Sequence, residues 1–363
     1  MKVLIIHASA GAGHRRAAEA IYNYLKENST DLDLVLLDAL DKTNALFKFD
    51  YTKGYSFLIR YATTLWFWAF WATDSKFLRP ISRFVARVIN GINCQSLIHY
   101  FIKENPDLIV STHFLPSELA ASLKQRKKIS SKLITVITDY GVHPFWVCPG
   151  TDLYVVASDF TKDRLMLEGV GVDKISVLGL PFDPKFMRQF DRRVLCHKIG
   201  IDDKKFTVLL MTGSFGLGPL EEIVQALHKD CQILVVCAGN KKLYKKLLRR
   251  NLENVKVFGF IPNTEELMAV SQVIITKPGG ATITEVLIME LPVIFISAIP
   301  GQETANAEAL AEYGIGVSLK NIEEIKNFVL DLKHNPEKII QLKQRIRGIQ
   351  KPFACKELAR VIR

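Results

Sequence analysis

No two of the six cysteines form a Cys-x-x-Cys pair. That spacing would be needed for a zinc ribbon or a dithiol redox motif. Cys94, Cys148, Cys196, Cys231, Cys237 and Cys355 are scattered, several in apolar runs, and read as buried free thiols of a reducing compartment. A membrane-spanning run is also missing. The nearest stretch is Tyr61 to Ala72, bracketed by Arg60 and Asp74, and it falls short of the ~20 residues a span needs. Met1-Lys2 leads straight into a strand-like run with no long apolar leader, so no signal peptide is expected. Lys and Arg total 48 against 37 Asp and Glu, a formal charge of +11, yet no basic block dominates. With no zinc pattern, recognition helix or RNA-binding aromatic signature, a nucleic-acid partner is not expected. The basic excess fits an anionic lipid surface or a nucleotide better. The G-x-G-x-x-G fingerprint and the P-loop are both absent. Asp31-Leu32-Asp33 has the spacing of a metal-binding acidic pair but precedes its strand, so it reads as a turn.

Alternation of apolar runs and helical patterns is what the chain does have. The first half carries strand-like runs at 3–7, 34–37, 108–111, 133–137, 153–157 and 175–178. The second carries them at 206–211, 233–237, 255–258, 273–276, 293–296 and 316–319. Short buried runs separated by helices predict a doubly wound parallel sheet in each half. The fold class is α/β with two Rossmann-like domains. Pro181-Phe182-Asp183-Pro184 reads as the linker, giving domains at 1–182 and 183–350. Lys351-Pro352 then breaks the chain before a last helix, 351–363.

Three glycine turns stand between a strand and a helix. Thr276-Lys277-Pro278-Gly279-Gly280-Ala281-Thr282-Ile283-Thr284-Glu285 is the richest. Its glycines let backbone N–H groups approach an anion, and the following helix adds partial positive charge. Thr282 and Thr284 are candidate caps or phosphate ligands. Glu285 is expected in the first turn of the helix, where its carboxylate can take a ribose diol. The second turn, Thr212 to Pro219, contains Gly213 and Ser214 before a helix at Leu220. The third, with Gly11 and Gly13, follows the first strand and is followed by His14.

The insertion at 46–93 is unlike the rest. It holds Trp66, Trp68 and Trp71, then Arg79, Arg83 and Arg87 four apart on one helix face. Phe77, Leu78, Ile81, Phe84 and Val88 spread over the other side. A basic face beside an apolar face and clustered Trp is the pattern of a helix lying in a membrane interface. A helical hairpin packed on the sheet, its arginines solvated, is the alternative.

Gly11-Ala12-Gly13-His14-Arg15, Thr138-Asp139-Tyr140-Gly141-Val142-His143-Pro144-Phe145-Trp146, and Lys277-Pro278-Gly279-Gly280 with Pro300-Gly301-Gln302-Glu303 occur in that order. The ordered set resembles the monogalactosyldiacylglycerol synthases and bacterial diacylglycerol glucosyltransferases of glycosyltransferase family 28. The resemblance runs from about residue 1 to residue 345. It implies the GT-B architecture, two Rossmann-like domains facing across a cleft, with the last helix crossing back to the first domain. It implies an inverting hexosyltransferase that uses UDP-glucose or UDP-galactose, needs no metal or other cofactor, and makes a β-glycolipid on diacylglycerol or a related lipid. It also implies a peripheral position on the cytoplasmic side of the cell membrane, gripped through the insertion.

Residue by residue, the resemblance carries uracil contacts to Phe260 and Ile261, the ribose to Glu285, and hexose hydroxyls to Gln302 and Glu303 with Asn306 in support. The diphosphate falls to Gly213, Ser214, Gly279, Gly280 and Thr282. His14 is the leading base, at the end of the first strand where open sheets place their sites. Its ordinary pKa of ~6.5 suits that role. Asp139 either orients His14 or takes the proton itself, and His143 is a third candidate that alternatively meets the acceptor. Another family 28 transferase, with a polyprenyl-linked acceptor, is an alternative within the resemblance, and two other classes compete. A UDP-N-acetylglucosamine 2-epimerase shares such a fold but has no use for the Trp-rich insertion. A nucleotide-sugar sensor would keep Glu285 and need no base.

Overall fold

The computed structural model describes residues 1–9, 11–54, 73, 75, 77–299 and 301–363. Trp66, Trp68 and Trp71 lie outside the described residues. The chain divides into two units. Residues 1–183, 299–305 and 351–363 form the first, and 184–298 and 306–350 the second.

The first unit is built on β1 (Lys2–His7), α1 (Ala12–Asn28), β2 (Asp33–Asp38), α2 (Ala45–Phe49), α3 (Arg79–Asn93) and α4 (Gln95–Glu104). It continues through β3 (Leu108–Ser111), α5 (Phe114–Gln125), β4 (Lys132–Val136), β5 (Leu153–Val156), α6 (Asp159–Leu167) and β6 (Ile175–Val177). The six strands are all parallel, in the order β2-β1-β3-β4-β5-β6. Alternate residues feed two cores, as the two-residue strand period requires. Leu4, Ile6, Ile109 and Leu133 pack with Leu97, Phe101 and Leu115 on one face. Val3, Ile5, Val110 and Ile134 pack with Ala18, Ile21 and Leu25 on the other. Covering both faces is why these strands read as unbroken apolar runs. Each fully buried Leu or Ile is worth about 1.5–3 kcal/mol.

The second unit follows with α7 (Arg192–Ile199), β7 (Thr207–Met211), α8 (Leu220–Leu227), β8 (Gln232–Val236), α9 (Lys241–Arg250) and β9 (Val255–Phe258). Then come α10 (Thr264–Val270), β10 (Val273–Thr276), α11 (Gly280–Ile288), β11 (Val293–Phe295), α12 (Gln302–Glu312, whose residues up to Ala305 belong to the first unit), β12 (Val317–Ser318), α13 (Ile322–His334) and α14 (Pro336–Ile349). Its sheet is parallel throughout, in the order β12-β11-β10-β7-β8-β9. The chain ends in α15 (Ala354–Ile362), which belongs to the first unit. Leu358 and Ile362 join the core face built on α1. Arg363 donates to the Asn28 carbonyl at 2.6 Å and to Ser29 Oγ at 2.7 Å.

The described part of the insertion shows which way its two faces turn. In α3 the arginines do not form the outward face. Arg79 pairs with Glu168 at 2.5 Å, Arg83 donates to the Pro144 carbonyl at 2.7 Å, and half-exposed Arg87 approaches Glu118 at 3.4 Å. The apolar side faces solvent instead. Phe77 is 92% exposed, Phe84 66% and Ile92 68%, with Ile81, Val85, Val88 and Ile89 also exposed. Periodicity groups residues on a face but does not say which way that face turns. Here three guanidinium partners on the domain decide it. No described helix is long and apolar enough to cross a membrane.

Candidate active site

In each sheet the strand order reverses at one point, between β1 and β3 and between β7 and β10. Ligands of open α/β sheets bind outside the carboxyl ends of the strands at such switch points.

In the first unit that position is occupied by histidine chemistry. His14 is the third residue of α1, whose N-cap is Gly11 and whose first turn carries no acidic residue. Gly13 precedes His14 within that turn. Nδ1 of His14 lies 2.9 Å from the Thr112 carbonyl and 2.7 Å from Thr138 Oγ1. A carbonyl only accepts, so Nδ1 carries the proton and Nε2 keeps the lone pair. Thr112 Oγ1 in turn donates to the His14 carbonyl at 2.9 Å. Burial holds the His14 pKa below the ordinary value, against the raising influence of Asp139 and the Thr112 carbonyl. The imidazole is therefore neutral at pH 7.

His113 sits edge-on to His14, with ring centroids 4.5 Å apart, and Trp146 lies 6.1 Å from His14. Nδ1 of His113 accepts from the Leu115 N–H at 3.1 Å, which caps α5. Burial, then repulsion from His14 and His7, pushes its pKa well below the ordinary value. Thr112, His113 and Thr138 were not singled out from sequence as site residues. The signal existed: each closely follows the end of a central strand, the same position that drew attention to His14.

Asp139 is 4% exposed. It does not hold His14 Nδ1, which Thr112 and Thr138 take. Its Oδ2 instead accepts from Gln302 Nε2 at 2.6 Å. Gln302 and Glu303 fall within residues 299–305 and so belong to the first unit. Glu303 Oε2 accepts from the Ile299 N–H at 2.7 Å, tying down the start of α12. His143 is placed differently from His14. Its Nδ1 accepts from the Phe145 N–H at 3.2 Å, and its Nε2 lies 3.2 Å from Thr73 Oγ1. With both nitrogens engaged, and burial and Arg79 and Arg83 holding its pKa at about 4, it is a poor proton acceptor.

In the second unit the paired strands β7 and β10 each end in a glycine turn. Gly279 is the N-cap of α11, without a side-chain cap and with no acidic residue in the first turn. The N–H groups of Gly280, Ala281 and Thr282 thus open an uncapped helix start, an arrangement that favours an anion. Gly279 has an ordinary φ of −78°, and a Cβ there would meet nothing within 4 Å. Neither conformation nor packing calls for glycine there, and the open space leaves the backbone accessible to a ligand. Asn306, fully buried, donates to the Pro278 carbonyl at 3.0 Å and fixes this turn.

After β7, Gly213 (φ 73°) also faces open space beside exposed Ser214. Gly216 (φ 57°) is demanded by packing, since a Cβ would fall 2.2 Å from the Cys237 carbonyl. Thr212 Oγ1 is buried and has no hydrogen-bond partner among the described residues. The first turn of α8 carries Glu221 and Glu222, so the helix charge available to an anion is that of α11. Glu285 is corrected in position: α11 opens at Gly280, which puts Glu285 in the second turn. There it is 4% exposed. Thr284 bonds back to the Gly280 carbonyl at 3.0 Å and is not a cap. Phe260, 75% exposed, and Ile261 follow edge strand β9.

Two six-stranded parallel sheets, each with glycine turns and an uncapped helix start at its switch point, define a two-domain protein of the GT-B class. Solved structures agree on the fold. Anabaena HepE in complex with UDP matches with a TM-score of 0.59 at 16% identity, over 100% of this chain and 99% of that one. The Neisseria meningitidis UDP-GlcNAc 2-epimerase bound to UDP-GlcNAc matches with a TM-score of 0.62 at 15% identity, over 100% and 99%. Fold alone therefore does not separate transferase from epimerase. Sequence does. Residues 14–182 match the family Monogalactosyldiacylglycerol (MGDG) synthase, and 207–356 match the glycosyltransferase family 28 C-terminal domain. A processive diacylglycerol beta-glucosyltransferase of Staphylococcus epidermidis is 31% identical over 93% of this chain and 85% of its own. The chain belongs to the monogalactosyldiacylglycerol synthase and diacylglycerol glucosyltransferase family within glycosyltransferase family 28.

Proposed function

We propose that this protein transfers a hexose from a UDP-sugar to diacylglycerol, with inversion, to give a β-glycolipid. The observation that carries the reading is the state of His14. It is neutral, its Nδ1 proton is committed to Thr112, and its Nε2 lone pair is left to take a proton. The acceptor hydroxyl gives its proton to Nε2 as its oxygen attacks C1 of the sugar. The C1–O bond to the diphosphate breaks, and UDP leaves from the opposite face. Asp139 stabilises the imidazolium that forms, consistent with its raising influence on His14. Relatives named for glucose transfer make UDP-glucose the first donor to test.

Donor roles follow the site. Negative charge developing on the diphosphate is met by the start of α11, by Gly279, Gly280 and Thr282, and by Gly213, Ser214 and Thr212. Glu285 takes the ribose diol, Phe260 and Ile261 the uracil, and Gln302 and Glu303 the hexose hydroxyls. No metal has a role in this scheme, so chelation with EDTA should leave turnover intact. The exposed apolar side of α3 brings the protein to the cytoplasmic face of a membrane, where its acceptor resides.

A kinetic split tests the assignment. His14→Ala should lower kcat by about 10²–10⁴, the usual worth of a positioned base, with UDP affinity unchanged. Glu285→Ala should weaken UDP binding by calorimetry about tenfold or more, at roughly 1.5–3 kcal/mol per charged hydrogen bond. Near-normal turnover of His14→Ala would move the base to Asp139. Unchanged UDP affinity of Glu285→Ala would remove the ribose assignment.

A further inference from the structure

The inward turn of the α3 arginines leaves a question of charge. Arg79 and Arg83 are spent on the domain, so α3 offers a membrane chiefly apolar area. The chain nevertheless carries a formal charge of +11. The densest cationic element lies elsewhere. Helix α9 reads KKLYKKLLRR, six cations in ten residues.

At about 100° per residue, Lys241, Lys242, Lys245 and Arg249 share one arc of about 100°. All four are exposed, and none is in an ion pair among the described residues. Leu248, at the border of that arc, is exposed as well. Lys246 and Arg250 stand next to it and share a single carboxylate, Glu221, at 2.6 Å each. On the opposite side Leu247 is buried and Leu243 packs against the core, so the helix cannot roll. The neighbouring carboxylates are Glu221, already bound twice, Glu222 in the first turn of α8, and Glu253 just past the helix. They do not balance six cations.

We propose that this face of α9 is an electrostatic docking surface for anionic lipid. The inference rests on the reading that the protein works at a membrane. It gives the second unit a charged lipid contact of its own, carried by α9. A cationic stripe beside an exposed leucine, on a helix whose apolar side is held by the domain core, matches electrostatic attraction to an anionic lipid surface.

Sedimentation with vesicles tests it, using the full chain. Phosphatidylcholine vesicles with and without phosphatidylglycerol are compared at about 0.05 M and about 0.5 M salt, where the Debye length falls several-fold. Wild type should prefer phosphatidylglycerol, and lose that preference at high salt. The variant Lys241→Gln, Lys242→Gln, Lys245→Gln, Arg249→Gln should bind phosphatidylglycerol vesicles about 100-fold or more weakly at low salt. It should retain its binding to neutral vesicles and its affinity for UDP, which reports a folded second unit. An unchanged preference and salt slope in this variant would overturn the proposal, as would a wild type that binds neither vesicle. Loss of oligonucleotide binding with vesicle binding intact would overturn it in favour of a nucleic-acid surface. The variant Ile81→Ser, Phe84→Ser, Ile92→Ser separates the two readings. If it binds neutral vesicles like wild type while the α9 variant loses the anionic preference, the α3 reading falls and the α9 surface stands.

Discussion

Nδ1 of His14 meets two partners, the Thr112 carbonyl and the Thr138 hydroxyl. The carbonyl fixes the tautomer, and the hydroxyl narrows the ring's orientation. Thr138 is buried, so Thr138→Val preserves shape and removes only the hydroxyl. It should lower kcat by about tenfold, one modest hydrogen bond's worth, and leave UDP affinity unchanged by calorimetry. His143 tests burial instead of catalysis. Its folded pKa is about 4, against an ordinary ~6.5 in the unfolded chain. Below pH 6.5 the unfolded chain binds a proton that the folded protein refuses. Stability therefore falls as pH falls from 6.5 to 4 and stops falling on this account below 4. The loss is on the order of 3 kcal/mol. His143→Asn keeps an oxygen to accept the Phe145 N–H and removes the titration. Its denaturation midpoint should fall less steeply over that window than wild type's. An identical slope would show that His143 is not buried neutral.

At the scale of elements, the two glycine turns of the second unit make opposite demands. Gly279→Ala should leave the thermal midpoint unchanged, because its φ is ordinary and its Cβ has room. UDP binding should weaken, because the methyl group occupies ligand space. Gly216→Ala should destabilise by about 1–3 kcal/mol, through strained backbone and collision with the Cys237 carbonyl. Melting and UDP titration on the two variants check both. Strands were legible in the sequence for a definite reason. A strand covered on both faces is an unbroken run such as Val273-Ile274-Ile275 or Leu108-Ile109-Val110, closed by turn residues. Their spatial order was not legible, because parallel pairing between apolar runs leaves no local mark. The start of α11 was hidden too. Gly279, Gly280 and Thr282 are weak helix formers, and propensity alone starts the helix at Glu285. The facing of α3 was decided by Glu168, Glu118 and the Pro144 carbonyl, all distant in sequence.

For the molecule as a whole, the family was legible in the ordered motifs, and three placements came only from the structure. Gln302 reaches Asp139, Thr112 and Thr138 hold His14, and the α3 arginines turn onto the domain. All three join residues far apart in the chain, which spacing does not reveal. They leave one central claim, that the chain joins a hexose to diacylglycerol by a single displacement. Its most direct test is incubation of the purified protein with UDP-glucose, and separately UDP-galactose, and diacylglycerol vesicles. The lipid product is then isolated and its anomeric proton coupling read by NMR. The expected product is a β-linked hexosyl-diacylglycerol, with one UDP released per glycosidic bond formed. An α-linked product would contradict the single displacement, and a changed UDP-sugar with no lipid product would contradict transfer itself.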